Sequence, residues 1–137
     1  MLLVDTNVIL DVIEADPVWA DWSQTQLETA GLKYNTLIIN PVIYADLWIA
    51  FRRIEELESM LKVSAFRLDP IPREALFLAG RVFQSYKQRK GAKTGVLPDF
   101  FIGAHAAVAG VPLLTRDLRR YRTYFPTLTL ISPDSAE

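Results

Sequence analysis

Met1-Leu2-Leu3-Val4-Asp5-Thr6-Asn7-Val8-Ile9-Leu10-Asp11-Val12-Ile13-Glu14 contains a change of hydrophobic period that sets the fold class. Leu2-Leu3-Val4 is an unbroken apolar run, as in a strand buried on both faces. Val8, Ile9, Val12 and Ile13 then follow helical spacing, with Asn7, Asp11 and Glu14 opposite them. A strand therefore runs into a helix, with Asp5 at the joint.

The same alternation continues along the chain. Residues 17–30 predict a second helix, ended by Gly31. Thr36-Leu37-Ile38-Ile39 predicts the second strand. Asn40-Pro41 pairs a capping side chain with proline at the first helical position, and predicts a helix to about Arg52. Another helix is expected over 54–63, and a short strand at Phe66-Arg67-Leu68. Ala75, Leu76, Ala79, Val82, Phe83 and Tyr86 form a helical stripe between Pro72 and Lys90, followed by a loop from Gly91 to Gly95. Pro98 opens a helix that Gly110 ends. Leu113-Leu114-Thr115 and Leu128-Thr129-Leu130-Ile131 predict two final strands around a short helix. Strands separated by helices imply right-handed crossovers and a parallel sheet covered on both faces. The expected fold is α/β, a three-layer α/β/α sandwich around a parallel sheet of four to five strands. Its 137 residues are expected to form one domain, 1–137.

Composition narrows the chemistry. The absence of cysteine excludes disulfides, thiolate metal sites and cysteine nucleophiles, and one histidine cannot build a multi-histidine metal site. Any metal is then a hard cation with oxygen ligands. No apolar run approaches the roughly 20 residues that span a bilayer, and no signal-peptide pattern opens the chain. A cytoplasmic protein is expected. Residues 1–69 carry 5 Lys/Arg against 11 Asp/Glu, and residues 70–137 carry 10 against 5. This asymmetry suits an acidic pole beside a polyanion-binding surface, unless the fold intermixes the two halves.

Four aspartates fall where strands end or helices begin: Asp5, Asp46, Asp99 and Asp117. Each has an ordinary explanation. Asp5 and Asp117 suit caps or turns, Asp117 also suits a pair with Arg119 or Arg120, and Asp99 suits a helix dipole. Asp46 is different, because it alone is polar in the run Val42 to Phe51. A helix apolar around most of its circumference is buried, and a buried unpaired carboxylate is costly. If the four converge, a divalent cation is the simplest way to relieve their repulsion, and such a cation suggests phosphate chemistry.

The chain resembles a PIN-domain ribonuclease, in particular the VapC toxins of toxin–antitoxin pairs. Leu3-Val4-Asp5-Thr6-Asn7-Val8 is similar to the family's opening motif. Leu97-Pro98-Asp99-Phe100-Phe101-Ile102-Gly103-Ala104-His105-Ala106 is similar to its third acidic motif, and Leu113-Leu114-Thr115-Arg116-Asp117 to its fourth. The resemblance spans essentially the whole chain, with the motifs in order. It departs at the second acidic position, where the family usually has Glu and this chain has Asp46, one methylene shorter. The resemblance implies an endoribonuclease dependent on Mg²⁺ or Mn²⁺, with Asp5, Asp46, Asp99 and Asp117 carrying the metal site. It implies that Thr115 hydrogen-bonds a carboxylate or a water of the site, and that Asn7 orients Asp5 or a phosphate. It also implies a homodimer silenced by a VapB-like antitoxin whose tail lies across the site.

Water is the expected nucleophile, because a single histidine cannot supply the acid–base pair that attack by the RNA 2′-hydroxyl normally needs. His105 is expected to be a packed or hydrogen-bonded residue. Two basic clusters are candidates for the RNA backbone: Lys87, Arg89, Lys90 and Lys93, and Arg116, Arg119, Arg120 and Arg122, the latter with Tyr121 and Tyr124 for base stacking. Arg116, Arg119 and Arg120 are favoured because they adjoin Asp117. Trp19 and Trp22 suit ordinary core or, with the apolar helices at 41–63, a groove for the antitoxin or a second protomer.

Competing readings are weaker. A haloacid-dehalogenase-type phosphatase needs a second Asp where Asn7 stands. A phospho-acceptor signalling domain needs an acidic pair at the first strand end and an acceptor Asp at a middle one, whereas Asp5 is alone and the second strand ends in Ile39-Asn40. The serious alternative is a catalytically weak module that binds RNA or an antitoxin on the same fold.

Overall fold

The structure is a computed structural model, and it describes residues 1–89, 91 and 96–133. Five strands form one parallel sheet in the order β3-β2-β1-β4-β5: β1 (Leu2–Val4), β2 (Leu37–Ile39), β3 (Phe66–Leu68), β4 (Leu113–Leu114) and β5 (Leu130–Ile131). The helices are α1 (Thr6–Ile13), α2 (Ala20–Lys33), α3 (Pro41–Asp46), α4 (Ile54–Val63), α5 (Arg73–Gln88), α6 (Leu97–Ala109) and α7 (Leu118–Arg122). Successive residues of a strand face opposite sides of the sheet. Leu2, Leu3 and Val4 all have zero exposure, so helices cover both faces, as in the expected three-layer sandwich.

The strand order positions the site. After β3 the chain crosses back to pair β4 with the free side of β1, so the connections that follow β1 and β4 run to opposite sides of the sheet. Such a switch point opens a crevice beyond the carboxyl ends of the two central strands. Asp5 follows β1 there, and Thr115 and Asp117 follow β4.

Local chemistry explains the borders. Asn40 accepts the Ile43 N–H at 2.9 Å and Pro41 follows it, the expected start of α3. Gly110 ends α6 in the left-handed region at φ 67°, which residues with a Cβ disfavour. Two expectations are corrected. Helix α2 continues through Gly31 to Lys33, because Gly31 keeps helical geometry and Tyr34 is the first residue to turn extended. The helix from Pro41 does not reach Arg52. It tightens into a 3-10 turn over Leu47–Ala50, and Phe51 is extended. That change of pitch leaves Trp48 71% and Ile49 60% exposed, so the run around Asp46 is not a buried cylinder. The loop expected from Gly91 to Gly95 lies, apart from Gly91, outside the described residues.

Helix α5 sets Ala75 and Ala79, both fully buried, against α6, while Phe83 and Tyr86 meet Phe100 edge-on. Farther along α6, Gly103 lets Phe125 and Tyr121 approach the helix. A Cβ there would stand 2.5 Å from Phe125 Cε2 and 3.1 Å from Tyr121 Cδ1. Gly103→Ala is expected to destabilise the fold by about 1–3 kcal/mol, as overpacking does in a well-filled core. Chemical denaturation measures this, and an unchanged midpoint would refute it.

Candidate active site

Asp5 is the centre of the crevice and is 4% exposed. One oxygen, Oδ1, accepts the Thr6 N–H at 2.8 Å. The other, Oδ2, accepts the Thr115 hydroxyl at 2.8 Å, the Tyr121 hydroxyl at 2.9 Å and the Asn7 amide at 3.4 Å. These donors come from α1, the end of β4 and α7, so one carboxylate joins three segments distant in sequence. Burial raises the Asp5 pKa above the usual carboxylate value, and the bonds from Thr115, Tyr121 and Thr6 oppose the rise.

Asp99 stands in the first turn of α6 with 17% of its side chain exposed. Desolvation pushes its pKa up to about 6, opposed by Arg120 and reinforced by Asp5 and Asp117. Asp117 caps α7, accepting the Arg120 N–H at 3.3 Å. The Arg120 guanidinium lies between the two acids, with Nη1 3.3 Å from Asp99 Oδ2 and Nε 3.1 Å from Asp117 Oδ2. Asp5, Asp99 and Asp117 thus share one electrostatic basin with Arg120. Asp46 stands at its edge, accepting the Thr6 hydroxyl at 3.3 Å, with its pKa raised mainly by desolvation.

Among the described residues, no three acidic or histidine side chains are drawn close enough to chelate one ion. This still fits Mg²⁺, which demands regular octahedral geometry, keeps several waters and binds through about one or two carboxylates. The donors are all hard oxygens, Asp99 carries an unfavourable charge, and the cation that pairs with these acids among the described residues is Arg120, on the half-exposed rim. These residues suit a hydrated divalent ion.

Other expected residues are redistributed. Asn7 uses its amide on Asp5 and, at 3.4 Å, on Thr115 Oγ1, while its Oδ1 accepts the Arg116 N–H at 3.2 Å. It orients the carboxylate and the following loop. Thr115 Oγ1 also accepts the Asp117 N–H at 3.1 Å. The Arg116 side chain turns away from the basin. Its Nε lies 2.8 Å from Asp11 Oδ2 in an ionic contact without hydrogen-bond alignment, and its guanidinium covers Trp19 at 5.3 Å. Arg122 Nη1 donates to the Leu128 carbonyl at 3.2 Å. Of the second basic cluster, Arg119 and Arg122 are exposed and in no ion pair among the described residues, and Arg122 is tied to backbone carbonyls. In the first cluster, Lys87 lies over the Phe83 ring, and Lys90 and Lys93 fall outside the described residues.

Tyr121 corrects a further expectation. It has zero exposure, so it cannot stack on a base, and its hydroxyl instead serves Asp5. Tyr124 is half-buried against Phe100 at 5.0 Å. Asp11, not among the candidates the sequence offers, also supports the site. It is 3% exposed and accepts the Ser23 hydroxyl at 2.6 Å, linking α1 to α2. The available signal was its spacing, because Asn7 and Asp11 lie one helical turn apart and both address residue 116. His105 is buried on α6. Asn40 Oδ1 is committed to Ile43, so its amide N–H donates to His105 Nδ1 at 3.2 Å. This defines a neutral Nε2–H imidazole, and burial lowers its pKa in agreement. Trp19 and Trp22 are half-buried and meet edge-on at 6.1 Å. Trp48, Ile49, Ile54 and Val63 are exposed. No helix among the described residues is long and apolar enough to cross a membrane.

With this geometry in place, similarity to known proteins defines the class. The family model for the PIN domain matches residues 2–126, and the chain belongs to that family. Proteins of this family are generally nucleases. Among solved structures, it is similar to VapBC2 of Rickettsia felis bound to promoter DNA, at 21% identity and a TM-score of 0.71, covering 96% of this chain and 97% of that one. FitAcB of Neisseria gonorrhoeae matches at 19% identity and a TM-score of 0.68, covering 97% and 98%. A toxin–antitoxin complex from Klebsiella pneumoniae matches at 19% identity and a TM-score of 0.69, covering 97% and 98%. No curated protein sequence matches the chain.

Proposed function

We propose that this PIN-domain protein is a Mg²⁺- or Mn²⁺-dependent endoribonuclease and the toxin of a toxin–antitoxin pair. The observation that carries the reading is the basin of Asp5, Asp99 and Asp117 at the switch point, with Asp99 raised to about 6. A divalent ion supplies acidified water and neutralises phosphoryl charge. Asp5, Asp99 and Asp117 would hold it, with Asp46 at the edge of the basin. Thr115, Tyr121 and Asn7 fix the Asp5 rotamer, and the capping of α7 fixes Asp117. Arg120 borders the basin and, with exposed Arg119 beside it on α7, would receive the phosphates. Arg116 acts through Asp11 to position the Thr115–Asp117 loop. His105 is neutral and held by Asn40, which supports attack by water.

The proposed protein works in the cytoplasm as a homodimer, with a VapB-like antitoxin as its partner. The toxin–antitoxin complexes among the similar structures support the antitoxin partner. The test is cleavage of single-stranded RNA by purified protein. Activity should require Mg²⁺ or Mn²⁺, leave 5′-phosphate and 3′-hydroxyl ends, and survive a 2′-deoxy substitution at the scissile nucleotide. Loss of cleavage on that substitution, with binding retained, would exclude water attack. A second reading, an RNA- or antitoxin-binding module with weak catalysis, is favoured by the short Asp46 arm tied to Thr6 at the basin edge. Metal-independent RNA binding without cleavage would establish it.

A further inference from the structure

We infer that Arg120 is a resident counter-ion that competes with the divalent metal for Asp99 and Asp117, and that metal entry turns it outward to the RNA phosphate. This rests on the proposed nuclease reading and adds an order of events to it.

The contacts define the competition. Arg120 Nη1 takes Asp99 Oδ2 at 3.3 Å, and Arg120 Nε takes Asp117 Oδ2 at 3.1 Å. Asp117 Oδ1 accepts the Arg120 backbone N–H, so Asp117 holds both ends of the same residue. A lone pair aimed at the guanidinium is not free for a cation, and a divalent ion beside a guanidinium is repelled. The protein therefore gives up these contacts when it takes the ion from this side. Arg120 is able to leave, since its side chain is 48% exposed, whereas Asp99 is 17% exposed and remains in place. The backbone hydrogen bond to Asp117 keeps α7 capped while the side chain swings. A guanidinium displaced at the rim adjoins exposed Arg119 and binds phosphate bidentately. The arrangement lowers metal affinity in the free protein and makes phosphate a partner in metal entry.

The test is Mn²⁺ binding to the full chain, read from the electron paramagnetic resonance signal of free Mn²⁺, with no RNA present. The lost contacts are partly exposed ion pairs, which contribute modestly, so Arg120→Ala should bind Mn²⁺ about 3- to 10-fold more tightly than wild type. Arg120→Gln should do the same while keeping the side-chain stem, and Arg120→Lys should show a smaller gain. Arg119→Ala removes an equal charge nearby but no contact to the acids, and should change Mn²⁺ affinity less than about twofold at 0.15 M salt. Wild-type binding with unchanged or weaker affinity in Arg120→Ala and Arg120→Gln overturns the inference and leaves the nuclease reading intact. An Arg119→Ala gain equal to that of Arg120→Ala also overturns it, in favour of general charge repulsion. Failure of wild type and both Arg120 variants to take up Mn²⁺ overturns the nuclease reading as well.

Discussion

Asp99→Asn is expected to abolish RNA cleavage and, in metal-free buffer at neutral pH, to make the fold more stable. The first effect follows from the proposed metal site, where losing one anionic ligand should cost about a hundredfold or more in rate, comparable to losing one preorganised electrostatic group. The second follows from the raised pKa. Asp99 titrates near 6 when folded and near 3.8 when exposed, so the unfolded chain releases this proton more readily. Its charge therefore opposes folding, fully above pH 6, progressively less as pH falls, and not at all well below 3.8. A shift of about two units is worth on the order of 2–3 kcal/mol. The neutral amide removes that penalty, so thermal unfolding in chelator should show the largest gain above pH 6 and none near pH 3. Saturating Mg²⁺ should stabilise the wild type and not the variant. A variant less stable than wild type at pH 7.5 would mean that the Arg120 contact outweighs desolvation.

Asp5→Ala is expected to have the opposite effect on stability with the same loss of cleavage. Asp5 accepts from the Thr6 N–H, the Thr115 and Tyr121 hydroxyls and the Asn7 amide, and most of these donors have no access to water. Each buried donor left without a partner costs about 1–3 kcal/mol, and relief of the buried charge offsets part of the sum. A net destabilisation of about 2–4 kcal/mol is expected. Denaturant midpoints in chelator measure it. Equal stability of Asp5→Ala and wild type would show that the network around Asp5 does not hold β1, β4 and α7 together. The contrast between two aspartates of one basin is the more demanding test, since a generic loss of negative charge would move both variants in the same direction.

The difference between these two residues also marks how far the sequence could be read. Both stand at an element border, one after a buried strand and one in a first helical turn, and both were recognisable as candidate site carboxylates. The resemblance to PIN-domain proteins rests on the motifs around Asp5, Asp99 and Asp117, and the family match over residues 2–126 agrees. Element order and the parallel sheet were legible because apolar period and capping chemistry are local: Leu2–Val4, Asn40-Pro41 and Gly110 each act within a few residues. The roles of the arginines and of Tyr121 were not legible. A run such as Arg119-Arg120-Tyr121-Arg122 states charge and aromaticity, but a short helix directs successive side chains about 100° apart. Arg119 thus meets solvent, Arg120 the acids, and Tyr121 the core. Arg116 was drawn away by Asp11, a hundred residues earlier.

By itself the sequence determined the alternation of strand and helix, the oxygen-only character of any metal site and the acidic positions that are its candidates. These depend on residue type and on spacing within one or two turns of chain. The tertiary structure alone decided which side chains share the basin, that Arg120 neutralises two of its acids and that Tyr121 anchors the third. Those outcomes depend on strand order and on competition for buried hydrogen bonds, and both are settled only when segments far apart in the chain come into contact.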